Sequence, residues 1–87
     1  MNKLFRVATV SANANSFGLR GVVLIAQDGQ VFEVGSNRHN LPAQGAELRV
    51  PLVGKTPVFA ALGFEIPREL NPPAPPEVLA LVWPPTT

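Results

Sequence analysis

The sequence predicts a small all-β domain, a five- to six-stranded antiparallel barrel or barrel-like sheet. Three observations point there. Two strongly apolar runs, 21–27 and 30–35, are joined by Asp28-Gly29, the clearest hairpin signal in the chain. Further short runs rich in Val, Phe and Leu recur between clusters of Gly, Pro, Asn and Ser, at strand length rather than helix length. The 87 residues hold no cysteine, so a single core has to form without a disulfide or a thiolate metal site.

Taken in order, residues 3–10 read as the first strand, with Phe5, Val7 and Thr9 on one face and Leu4, Arg6, Ala8 and Val10 on the other. The polar stretch 11–16 connects it to the hairpin. With Asp28-Gly29 as a two-residue type I′ loop, Val23 faces Val34 and Ile25 faces Phe32 towards the core. Leu24 then meets Glu33, and Ala26 meets Val31, on a second face that is itself mostly apolar. A solvated face should alternate to polar residues, so Val22, Leu24, Ala26 and Val31 are expected to need a second cover.

Residues 36–45 form an exposed polar loop. Residues 46–52 alternate cleanly, with Leu48, Val50 and Leu52 inward and Glu47, Arg49 and Pro51 outward. Pro51 has no donor for a ladder bond, which marks an edge strand or a bulge. Gly54-Lys55-Thr56 turns the chain into a fifth strand, 57–62, whose Ala60-Ala61-Leu62-Gly63 also fits a helical turn. A short 3₁₀ turn is expected near Pro67–Leu70, followed by a stiff proline-rich connector, 71–76. The terminal apolar segment 77–83 suits a strand better than a two-turn helix, because it is short and Trp83 precedes Pro84. Residues 1–87 thus read as one β domain.

Gly63-Phe-Glu-Ile-Pro-Arg-Glu-Leu, with Val-Leu-Ala-Leu-Val after it, resembles the end of SH3-type barrels, where a 3₁₀ turn precedes the closing strand. Phe17-Gly-Leu-Arg-Gly-Val-Val-Leu-Ile is similar to the glycine-hydrophobic stretch of KOW-type barrels. The chain lacks the aromatic peptide-binding motifs of the first family and the RNA-binding basic residues of the second. The resemblance therefore implies an SH3-like architecture and no function.

Motifs for specific chemistry fail on spacing. A phosphate loop ending at Gly54-Lys55-Thr56 needs glycine where Arg49 stands. Gly18 and Gly21 lack the βαβ setting of a dinucleotide site. His39 is the single histidine, so a metal site would rest on carboxylates and amides at unsuitable spacings. Ser36, His39 and Asp28 do not sit in a nucleophile elbow, and Glu65 and Glu69 decorate a turn beside Arg68. Pro72-Pro73-Ala74-Pro75 lacks the flanking cation of a PxxP ligand. No catalytic residue, metal or cofactor is expected, and an enzyme is not the reading.

Surface character then decides. Apolar residues make up 46% of the chain and charged ones 15%, a low polar share for a domain with so much surface relative to volume. Apolar area left outside the core should meet a partner. The expected function is a small interaction module acting through protein–protein contacts, including self-association as a homodimer, with Leu24, Ala26, Val31, Pro51 and Trp83 as the candidate interface. The alternative is a weak single-stranded nucleic-acid-binding module using Phe17 and Arg20 with Arg38 and His39. The net charge of +1 argues against a nucleic-acid tail. No apolar run approaches the length of a membrane span, so no membrane partner is expected. The absence of cysteine fits a cytoplasmic location.

Overall fold

The computed structural model describes residues 1–11, 18–38 and 40–85. Six strands, β1 (Asn2–Ser11), β2 (Arg20–Ala26), β3 (Val31–Ser36), β4 (Glu47–Val53), β5 (Thr56–Pro57) and β6 (Glu65–Leu70), form one antiparallel sheet in the order β5-β4-β1-β2-β3-β6. The sheet curls into a half-barrel. A 3₁₀ turn, Phe59–Leu62, stands between β5 and β6, and a short helix, α1 (Pro76–Val82), follows β6. The all-β, barrel-like expectation holds.

The concave side carries the core, formed by Phe5, Val7, Val22, Leu24, Ala26, Val34, Val50, Phe59 and Phe64. Phe59 comes from the 3₁₀ turn and fills the open side of the curl, with its ring centre 5.3 Å from that of Phe5 and 5.0 Å from that of Phe32. Burying one such side chain contributes about 2–3 kcal/mol, so this short turn does much of the closing.

The hairpin register differs from expectation by one residue. Val22 pairs with Val34, Leu24 with Phe32 and Ile25 with Val31. The cause is the turn, in which Ala26 N–H bonds to Gln30 C=O and Gly29 N–H bonds back to Ala26 C=O, at 2.9 Å each. Gly29 takes φ +90°, so Gln27, Asp28 and Gly29 form a three-residue loop with a bulge, not a two-residue one. A one-residue slip exchanges faces. Val22, Leu24 and Ala26 therefore point into the core, while Val23 and Ile25 lie on the convex face with Val31 and Glu33.

Other corrections have equally local causes. A bulge between Val7 and Thr9 turns Thr9 to the convex face opposite Val23. β5 stops after two residues because Val58–Gly63 winds into the 3₁₀ turn, ended by Gly63 at φ +85°. Pro67 is not in a 3₁₀ turn. It lies in β6, at an outer edge of the sheet where a missing donor breaks no ladder. Segment 77–83 is helical rather than extended. Pro75 is extended, Pro76 occupies the first turn and Glu77 meets the positive end of the helix.

Candidate interaction surfaces

The convex face is where the sequence left an open question, and the C-terminal segment answers it. After β6, Ala74 N–H donates to Gly29 C=O at 2.9 Å, pinning the proline connector to the hairpin turn. α1 then lies on the convex face, and Trp83 at its end donates its indole N–H to Ile25 C=O at 2.8 Å. Ile25 is left 3% exposed and Val31 7% exposed. Both lie on the convex side, where Trp83 reaches Ile25. A seven-residue helix is not stable alone; its contacts hold it.

Arg6 is the chief contact. It sits on β1 opposite Ile25, on the face away from Phe5 and Val7. Its guanidinium stacks on Trp83, 4.4 Å from the ring centre. One Nη donates to Val82 C=O at 3.2 Å, at the negative end of α1, and the other lies 3.7 Å from Glu47 Oε2. The charge pattern of the chain does not single out Arg6. Its alternation with Phe5 and Val7 on β1 was the signal that it faces whatever covers the hairpin.

Of the expected interface residues, Leu24 and Ala26 are fully buried in the core, as the corrected register requires. They do not form a second face. Val31 is buried at the convex side, while Pro51 and Trp83 are half-buried. Exposed apolar side chains stand on β4 (Val53), on β6 (Ile66) and on α1 (Val78 and Leu81). Leu81 is 83% exposed and lines an open cleft of about 300 Å³ with Val7, Ala8, Gln44, Val78 and Val82. Sequence reasoning passed over Leu81 because a strand would have given both faces of 77–83 to neighbours.

Of the expected nucleic-acid patch, Arg20 and Arg38 come together around one cleft with Gly18, Ser36 and Asn37. Arg38 lies over the Phe64 ring at 5.7 Å and its N–H donates to the buried Ser36 hydroxyl at 3.2 Å. Phe17 and His39 lie outside the described residues. Among the described residues no group of three or more His, Asp or Glu side chains could hold a metal, and no helix is long and apolar enough to cross a membrane. Compared with family models, curated proteins and solved structures, the chain finds no match in any of the three.

Proposed function

We propose that this protein is a small non-catalytic interaction module that works through protein–protein contacts, first with a second copy of itself. The observation that carries this reading is Leu81, 83% exposed on a helix held to the sheet at its C-terminal end through Val82 C=O and Trp83. Burying a leucine of that exposure is worth about 2 kcal/mol, and Val78 and Val82 extend the apolar surface beside it. Light scattering over a range of concentrations tests the reading. The apparent mass of the wild type should rise above 9.3 kDa, whereas Leu81→Asp should lower that association with its melting temperature unchanged. A wild type that stays monomeric throughout rejects it. In the same reading the curled sheet is SH3-like, with a 3₁₀ turn directly before its last strand.

A specific observation favours a second reading, single-stranded nucleic-acid binding at the Arg20/Arg38 cleft. Two arginines around one cleft offer phosphate contacts, with Arg38 laid over the buried Phe64 ring. Titration of a fluorescent oligonucleotide at two salt concentrations separates the two readings. Salt-dependent binding lost in Arg20→Ala/Arg38→Ala supports the second, and no binding at low salt rejects it.

A further inference from the structure

We propose that β4 carries a self-complementary edge on which a second copy of the chain docks by extending the sheet; this rests on the self-association reading above. β4 pairs with β1 along one side, but on the other side only Leu52 and Val53 have partners, in β5. Strand geometry identifies the backbone groups left over. Pro51 C=O accepts from Val58 N–H on the side away from β1, whereas Leu52 N–H donates to Met1 C=O towards it. Backbone groups of alternate residues point the same way. The N–H and C=O of Glu47 and Arg49 therefore point away from β1, and among the described residues neither has a backbone partner there. The free stretch is bounded at Pro51, which has no N–H to offer and whose C=O is taken, and at Gly45, whose N–H is given to Val7 C=O.

Charges on an open edge normally repel a second strand. Here they are of opposite sign at alternate positions, Glu47 and Arg49, both exposed. Two copies running antiparallel about a two-fold axis at Leu48 set Glu47 of each opposite Arg49 of the other. Both pairs fall at hydrogen-bonded positions of the new ladder, and Leu48 meets Leu48 at the closer, non-hydrogen-bonded position between them. A shift of two residues in one direction sets Glu47 against Glu47, and in the other Arg49 against Arg49, so charge also selects the register. The same pairing brings the Gly45 end of one copy, where Leu81 lines the cleft, towards Pro51 of the other. The opposite sheet edge does not offer this, because Ile66 at φ +53° and Pro67 interrupt β6.

Sedimentation velocity on the full chain at rising concentration tests the proposal. Arg49→Glu keeps the Arg6–Glu47 pair but sets glutamate against glutamate twice, and should weaken association about tenfold or more. Glu47→Arg sets arginine against arginine with the same result. An equimolar mixture of the two variants should associate again, since every cross-strand pair regains opposite signs. If Arg49→Glu associates like the wild type, or if the mixture associates no better than its components, the β4 proposal is overturned while self-association stands. A wild type that never leaves the monomer removes both.

Discussion

Arg6 and Trp83, 77 positions apart in the chain, stack with the guanidinium 4.4 Å from the indole ring centre, and this contact fastens the C-terminal helix to the convex face of the sheet. The indole donates to Ile25 on the strand beside β1, and Arg6 donates to the last turn of the helix. Trp83 thus holds β2, next to the strand that carries Arg6, and Arg6 holds the last residue of α1, next to Trp83.

Trp83 is expected to dominate the cover. Trp83→Phe keeps a ring over Ile25 but loses the bond to its carbonyl, costing about 1 kcal/mol. Trp83→Ala also removes the ring that Arg6 stacks on and should cost about 2–3 kcal/mol, below the value for a fully buried aromatic because Trp83 is half-exposed. Urea denaturation followed by circular dichroism reads both.

Replacing Arg6 should cost less than its contacts suggest. Arg6→Met loses the stack and the bond to Val82, but it also removes a buried Nε that has no hydrogen-bond partner. The net expectation is about 1 kcal/mol. Arg6→Lys should recover little of it, since both contacts use the planar guanidinium. The same denaturation series checks the ranking.

Two glycines separate conformational cost from steric cost. At Gly29, φ is +90° and an added Cβ would stand 3.6 Å from Ala74 C=O, an ordinary contact. Gly29→Ala should therefore cost about 1–2 kcal/mol, from backbone conformation alone. At Gly63, φ is +85° and a Cβ would collide with the Arg38 guanidinium. Gly63→Ala should carry a similar backbone cost and also push Arg38 off Phe64. Thermal melts give the first effect, and shifts of the Phe64 ring resonances give the second.

Acid should loosen the hairpin through Asp28. The Gln30 backbone N–H, donated to its carboxylate at 3.0 Å, holds its pKa below the usual value of 3.8, with Lys3 at 3.0 Å adding to the effect. A carboxyl whose folded pKa is depressed contributes stability above its unfolded pKa and loses it as pH falls through the folded one. The melting temperature should therefore decline as pH drops through about 4 and below, and the contribution is small because Asp28 is well exposed. Asp28→Asn can still accept from Gln30 N–H and should flatten that part of the pH profile.

The alternating elements were legible in the sequence. Phe5 and Val7, or Leu48 and Val50, alternate with polar or small residues, and that pattern has one reading. The hairpin was legible only in part, because Val22 to Ala26 are all apolar and either register buries a good set. Hydrophobicity could not choose between a loop of two residues and one of three; the backbone conformation of Gly29 did. Segment 77–83 was equally apolar as strand or helix, and its state follows from where the connector delivers it, across the convex face rather than along a free edge. The three-residue loop puts Leu24 and Ala26 in the core rather than on a second face, while the roles of Arg6 and Leu81 became visible only once α1 had a position. The open edge at Glu47 and Arg49 depends on how short β5 is, which alternation does not report.

The doubly apolar hairpin receives its second cover from the C-terminal helix of the same chain, and the proposed dimer uses Leu81 and the β4 edge. Isotope-filtered NMR on a mixture of labelled and unlabelled chains tests it most directly. The Trp83 indole N–H should exchange slowly and give cross-peaks to Ile25 that arise only within one chain. Cross-peaks between labelled and unlabelled chains, or an indole N–H that exchanges as fast as in a free peptide, would contradict it.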